Sequence, residues 1–316
     1  MNISRRNFLH ISAAGALSFA GGCRSLFTGA STDYDPNLTV FFSDVHVRGG
    51  KSYQLDRFIP FVGEVLKMNP LPKNVVIFGD LAHLYGIKAD YETTAPYLKQ
   101  LSDAGITVTI GMGNHDRRST FFEVHPDYKK RSKVPGRVVS VANIGHADLL
   151  MLDSLAGGDD RGATDMGPVP GTLDKEQQEW LLAELPKWKR PVFVCAHHPL
   201  KELVAGGKPL KQLIGASPAV AGYIHGHNHR WYTGWEPYKW GSQAILRSLC
   251  LPSTGHWGDI GYVLFRTTPT SATATLEERE FFFPKPQEKN EARPEVWDVI
   301  VNENRGATCK FLLPKA

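Results

Sequence analysis

Five short polar clusters follow one another along the chain, each directly after an apolar run. They are Asp44-Val45-His46, Gly79-Asp80, Gly113-Asn114-His115-Asp116, His197-His198-Pro199 and Gly226-His227-Asn228-His229. Asp, Asn and His supply the oxygen and nitrogen ligands that borderline divalent metals take. A lone His at a strand end is by default a packing residue, but five such clusters in order are hard to explain by packing. On an extended chain residues i and i+2 point the same way, so Asp44 and His46 can meet one ion. His227 and His229 repeat that spacing and can each reach a different ion of a close pair. Asp80 follows a strand and a glycine, which leaves its carboxylate free to bridge. Asn114 offers a neutral carbonyl oxygen, while His115 beside it points elsewhere, toward a substrate.

Two divalent ions about 3.5–4 Å apart clamp the attacking and departing oxygens of an in-line displacement and acidify bound water. Such a site still needs an acid to protonate the departing alkoxide. Histidine titrates near neutrality, and His115 has the position for that role.

The elements that must position these residues read as strands alternating with helices. Thr39–Phe42, Asn74–Phe78, Ile106–Ile110, Leu149–Leu152, Val192–Cys195 and Val220–Ile224 are nearly continuous apolar runs, as in strands covered on both faces. Leu55–Met68 and Ala89–Ala104 carry apolar residues at helical spacing, and Gly105 is a C-terminal stop. Asp174–Leu185 is the clearest helix. Asp174 caps it, Gln177 completes a capping-box-like pair, and Trp180, Leu181 and Leu185 share a face. Ala244–Leu251, Tyr262–Arg266, Phe281–Phe283 and Val296–Val301 add β structure. This alternation predicts an α/β sandwich with its ligands gathered at the carboxyl ends of strands.

The ordered set resembles the calcineurin-like metallophosphoesterase superfamily over roughly residues 38 to 265. The resemblance implies an α/β fold, a two-sheet β-sandwich flanked by helices in four αββα layers. It implies two divalent or trivalent ions (Fe, Mn or Zn). Asp44, His46, Asp80 and His229 would hold the first, and Asp80, Asn114, His197 and His227 the second, with Asp80 bridging. His115, supported by Asp116, would be the catalytic acid. Val194-Cys195-Ala196-His197 matches the family pattern, which makes His197 the ligand and leaves His198 to contact substrate or orient its neighbour.

Asp-x-His and the segment Gly171-Thr172-Leu173-Asp174…Gln177-x-x-Trp180-Leu181 are similar to bacterial class III cyclic-nucleotide-type phosphodiesterases. Purple acid phosphatases place a tyrosine three residues after the bridging Asp, where this chain has His83. For His83 a ligand-supporting, a substrate-facing and a surface role all stand. The expected reaction is hydrolysis of a phosphodiester by in-line attack of metal-bound hydroxide, with His115 as general acid. A phosphomonoesterase is the enzymatic alternative, and a metal-binding relative without turnover the non-enzymatic one.

The 316 residues, 42% hydrophobic and 22% charged, are ordinary for a globular protein. The formal charge of +4 rests largely on Arg5, Arg6 and Arg24 in a leader that holds no acid. The remaining body is close to neutral, which argues against general nucleic-acid binding, and the partner that the resemblance implies is a small phosphate ester. Ser4-Arg5-Arg6-Asn7-Phe8-Leu9 resembles a twin-arginine export signal, and the apolar stretch to Gly22 is too short to span a membrane. Ala20-Gly21-Gly22-Cys23 is a weak lipobox, with Cys23 as a candidate lipid anchor. The expected organisation is a leader over 1–30, a metallophosphoesterase domain over 31–284 and an extension over 285–316, exported to the periplasm or held as a lipoprotein. Cys195, Cys250 and Cys309 are too widely spaced for a disulfide framework.

Arg117–Arg137 and the Gly-rich Ser154–Gly171 read as insertions over the site that set specificity, with Lys129–Lys133 a solvated run. His225 is expected to point away from the site. His256 is divided between packing and lining the pocket, and Trp231, Tyr232, Trp235 and Trp240 read as core or rim packing.

Overall fold

Apolar residues alternate along the buried strands, and each alternation feeds two different cores. In β1 (Tyr34–Phe42), Val40 and Phe42 join a cluster with Phe58 and Val62 of α1 (Tyr53–Val65) and Leu98 of α2 (Lys88–Asp103). Phe41 lies on the other face and stacks on Phe265 at 4.7 Å between ring centres. Val75 and Ile77 of β2 (Leu71–Ile77) likewise face the helices, while Val76 and Phe78 enter the second cluster. The period of two in a strand therefore sets the layer order.

The computed structural model describes residues 33–156, 170–206, 210–211, 213–214, 217–237, 245–284, 297–300 and 305–315. The leader with Arg5, Arg6 and Cys23, residues 157–169 and Trp240 lie outside them. After β2 come β3 (Thr107–Ile110), α3 (Arg118–Val124), α4 (Pro126–Arg131), β4 (Ser140–Asn143) and β5 (Asp148–Met151). Then follow β6 (Gly171–Thr172), α5 (Lys175–Glu184), β7 (Val192–Cys195), β8 (Leu203–Ala205), β9 (Val220–His225), β10 (Tyr232–Pro237) and β11 (Ile245–Cys250). Last are β12 (Gly258–Thr267), β13 (Ser271–Pro284), β14 (Trp297–Ile300) and β15 (Thr308–Leu312).

One sheet has the order β14-β13-β12-β1-β2-β3, with β15 also on β13, and the other the order β10-β11-β9-β7-β5-β4. Within them β1, β2 and β3 run parallel, as do β5, β7, β9 and β11. Phe41, Phe78, Phe193, Phe265 and Phe311 fill the space between the sheets, and Leu181 and Leu185 cover the outer face of the second. The expected two-sheet α/β sandwich is the fold found.

Helix ends follow local chemistry. Ser52 Oγ accepts from Leu55 N, which starts α1 two residues before the expected Leu55. Asp174 caps α5 by accepting from Gln177 N at 2.9 Å. The Gln177 amide does not complete a capping box. It holds the main chain of Asp153 in both directions instead, at 2.8 and 3.0 Å.

One expectation is corrected by packing. Arg117–Arg137 is no insertion over the site: its helices α3 and α4 bury Phe121 and Tyr128 in the helix-side core, while the Lys129–Lys133 run is largely solvated together with Glu123, Pro126, Asp127 and Pro135. In the stretch past 284, β15 pairs with β13 from Ser271↔Leu312 to Thr275↔Thr308, and Cys309 and Phe311 are buried between the sheets. No helix among the described residues is long and apolar enough to cross a membrane.

Candidate metal centre

The candidate ligands leave the carboxyl ends of β1, β2, β3, β7 and β9, so both sheets contribute. Main-chain pairing continues past the strands, with His46 N donating to Asp80 O at 2.8 Å and Gly226 N to His197 O at 3.1 Å. Among the described residues, the non-glycine positions with left-handed backbone are Asp44, His46, Asp80, His227 and His229, with φ between 49° and 71°. All five are candidate ligands. The i, i+2 pairs therefore do not converge by pleat alternation on an extended chain, as the spacing suggested. They converge because the backbone is wound left-handed at each ligand, a conformation that Asp, Asn and His tolerate better than other residues. Gly113 is needed for close approach, since a Cβ there would land on Asp80 Oδ1.

Ligating atoms gather in overlapping sets: Asp44, His46 and His229; Asp44, Asp80 and His197; His46, Asp80 and His115; His197, His198 and His227. In each set they lie within 4.8 Å of one another. Asn114 Oδ1 joins at 3.0 Å from His197 Nε2 and 2.8 Å from His227 Nδ1.

The hydrogen bonds on the far sides of the rings assign their roles. His46 Nδ1 meets His83 O at 3.0 Å, His197 Nδ1 meets Phe78 O at 2.9 Å and His229 Nδ1 meets Trp257 O at 3.0 Å. A carbonyl only accepts, so each Nδ1 carries its proton and each Nε2 of a neutral ring turns a lone pair inward. Those lone pairs meet other acceptors: His46 and His229 Nε2 are 3.2 Å apart, and Asp80 Oδ2 is 3.1 Å from His197 Nε2. Asn114 turns its oxygen into this group and leaves Nδ2 buried with no partner among the described residues. Acceptors facing acceptors in a buried site repel unless a proton or a cation lies between them. The donor set thus fits the implied pair of metal ions, Asp80 standing between the two groups.

Charges in the metal-free state follow. Burial alone would raise the Asp44 carboxyl, but His229 and His197 outweigh it and hold Asp44 well below the usual range. Asp80 is lowered in the same way, burial being overcome by His197 and His115. Burial would lower His197, but Asp80 and Asp44 push it up to about 9. His227 is pushed down to about 4 by burial and by His197, and His46 is also lowered, first by burial. At pH 7.5 the carboxylates are therefore already ionised and His46 and His227 neutral, while His197 carries the proton that stands where a cation would bind. Zinc added to metal-free protein at pH 7.5 is expected to displace about one proton per chain, declining above pH 9. Calorimetry in buffers of different ionisation enthalpy measures it, and no release at pH 7.5 refutes the account.

His115 faces the same space, half-buried, its ring 4.8 Å from that of His46 and its Nδ1 3.3 Å from Leu84 O. Asp116 does not support it. The Asp116 carboxylate accepts from Ala82 N, Tyr91 Oη and Gly113 N, tying the loops after β2 and β3 together. Burial and the charge of Asp80 raise it to about 7. His198 is buried against Ser154 Oγ at 2.9 Å and against Gly171. His83 supports a ligand through its carbonyl, which holds His46, and its ring lies 3.3 Å from Gln54 Nε2. His225 bonds Gly226 O and belongs to none of the ligand sets.

Two residues near the ligands lack a motif that sequence reasoning can use. His256 packs its ring 4.4 Å from that of His46 and bonds Tyr53 Oη at 3.0 Å, so it lines the first half of the site. Glu202 Oε2 lies 3.1 Å from His227 Nε2. Glu202 precedes β8 and His256 precedes β12, so neither directly follows a buried apolar strand, which was the signal that marked the others.

The family model described as calcineurin-like phosphoesterase matches residues 38–231. No curated protein matches the sequence. Among solved structures, the fold is similar to a dimetal phosphatase from Danio rerio, with a TM-score of 0.56 at 12% identity over 76% of this chain and 95% of that one. A 5'-nucleotidase precursor from Thermus thermophilus matches with a TM-score of 0.43 at 13% identity, over 88% of this chain and 54% of that one.

Proposed function

Starting from the premise that the chain belongs to the calcineurin-like phosphoesterase family, we propose that it is a two-metal phosphodiesterase similar to the bacterial class III cyclic-nucleotide type. The observation that carries this reading is the buried nest of acceptors at the carboxyl ends of both sheets, with Asp80 shared between its halves. Asp44, His46, Asp80 and His229 hold one ion, and Asp80, Asn114, His197 and His227 the other. Fe, Mn or Zn suits this mixture of nitrogen and oxygen donors. Two such ions supply polarised phosphoryl oxygens and acidified water when bound. The rest is the work of the chain. Leu84 O accepts from the Nδ1–H of His115 and so presents Nε2, which in the doubly protonated ring would carry the proton given to the departing oxygen. Gly171, at the start of the segment that resembles those phosphodiesterases, packs on His198 beside the second half of the site. The Arg5-Arg6 leader supports export to the periplasm, with Cys23 as a lipid anchor.

The test compares a bis-aryl with a mono-aryl phosphate on metal-loaded protein. Faster diester turnover is expected, and a strong monoester preference moves the assignment to a phosphomonoesterase. Release of nothing from any ester leaves a binding protein without turnover. His115→Ala should keep both ions and lower kcat on esters with poor leaving groups by about 10²–10⁴-fold. Full activity on such esters refutes the acid.

A further inference from the structure

Three of the four histidines proposed as ligands are oriented by main-chain carbonyls, His83 O, Phe78 O and Trp257 O. His227 is oriented differently. Its Nδ1 faces Asn114 Oδ1 and His197 Nε2, at 2.8 and 3.2 Å, so this nitrogen rather than Nε2 belongs to the site. Its Nε2, on the other side of the ring, meets no main-chain carbonyl among the described residues but a side chain, Glu202 Oε2 at 3.1 Å. Glu202 closes the one-turn 3-10 segment Leu200–Glu202, which directly follows His197-His198-Pro199. Pro199 and the short turn thus return a carboxylate to the ring of a ligand that belongs to a different strand.

We propose that Glu202 is a positioning residue for the second metal ion. By accepting the hydrogen bond of His227 Nε2–H it fixes the tautomer in which Nδ1 is a lone pair, and it sets the plane of the ring against Asn114. A carboxylate behind a ligating imidazole also raises the basicity of the nitrogen that binds. The first ion has no such dependence, because His46 and His229 are oriented by backbone that no side-chain substitution removes. This inference rests on the two-metal reading above and assigns Glu202 no contact with metal or substrate.

The size of the effect follows from exposure. Losing a hydrogen-bonded partner behind a metal ligand weakens binding by about 10–100-fold. The Glu202 side chain is 35% exposed and that of His227 19%, so water competes for the pair and the lower end, about tenfold, is expected. Zinc is titrated by calorimetry into metal-free full-length wild type, Glu202→Ala and Glu202→Gln, with thermal unfolding of each recorded without metal. Wild type should take two equivalents. Glu202→Ala should keep the first and bind the second about tenfold more weakly, with metal-free unfolding unchanged. Glu202→Gln keeps an acceptor oxygen and should recover most of the loss. In cobalt-loaded protein the visible absorption of the second equivalent alone should shift in the alanine variant. If wild type takes two equivalents and the alanine variant binds both as tightly, the assignment to Glu202 is overturned while the two-metal reading stands. Equal weakening of both equivalents overturns it too. If wild type itself takes only one, the two-metal reading fails and takes this proposal with it.

Discussion

Asp80→Asn is expected to empty both halves of the site at once. The Asp80 carboxylate is the shared wall: Oδ2 is 3.1 Å from His197 Nε2 and 3.5 Å from His46 Nε2, while Oδ1 accepts from His115 N at 2.8 Å. The substitution keeps shape and an acceptor for His115 N but removes the negative charge that both proposed ions would share. Removing a partner that merely orients a ligand weakens binding by about 10–100-fold, so a bridging ligand should exceed that range for each ion. Turnover should fall at least by the roughly 10²–10³-fold seen when one electrostatic contact to a transition state is lost. His197 also loses the main cause of its raised pKa, so the proton released on zinc binding at pH 7.5 should fall away. Metal analysis after dialysis is the direct check. A variant that retains both ions at wild-type occupancy undoes the bridging role.

The largest stability effect is expected away from the metals. Arg118 and Asp153 are both buried and form a two-point pair, Nε to Oδ2 at 2.7 Å and Nη2 to Oδ1 at 2.8 Å. Arg118 also holds Leu155 O, and Asp153 accepts from Val138 N. Breaking such a pair leaves a charge stranded in a low dielectric and costs about 3–5 kcal/mol. Against a total of roughly 5–15 kcal/mol for a domain, Arg118→Ala should bring the protein close to unfolding. Urea unfolding of the metal-free protein measures the shift in midpoint. Arg118→Lys should not restore it, because an ammonium cannot make the two-point contact. Full stability in the lysine variant would show that charge alone suffices. The pair also matters to the site, since Ser154, the next residue, bonds the His198 ring.

Much of this arrangement was legible because metal ligands draw on few residue types and these follow strands buried on both faces. Val40, Phe41 and Phe42, or Val75 to Phe78, advertise such a strand without any alternation of polarity. Other features left no such trace. α3 and α4 have seven and six residues, too few turns to show a period, so the cationic Lys129–Lys133 face masked the burial of Phe121 and Tyr128. β15 is a five-residue strand beyond a Pro- and charge-rich stretch, and only its partner β13 gives Cys309 and Phe311 a core to enter. Asp116 sat beside the proposed acid in sequence, but backbone donors and Tyr91 claim its carboxylate. Glu202 is remote in sequence from His227, and nothing in its local pattern announces a partner.

The left-handed backbone at Asp44, His46, Asp80, His227 and His229 limits how the site can change over time. Aspartate, asparagine, histidine and glycine can occupy such positions at small strain, whereas a β-branched residue there is a genuine outlier. Most single substitutions at these five places therefore strain the backbone as well as remove a ligand. The exchanges that the backbone tolerates are those among Asp, Asn, His and Gly. In a lineage descending from this chain, loss of a ligand without backbone strain is therefore confined to a small set of exchanges, glycine at any of the five positions or asparagine at Asp80 among them.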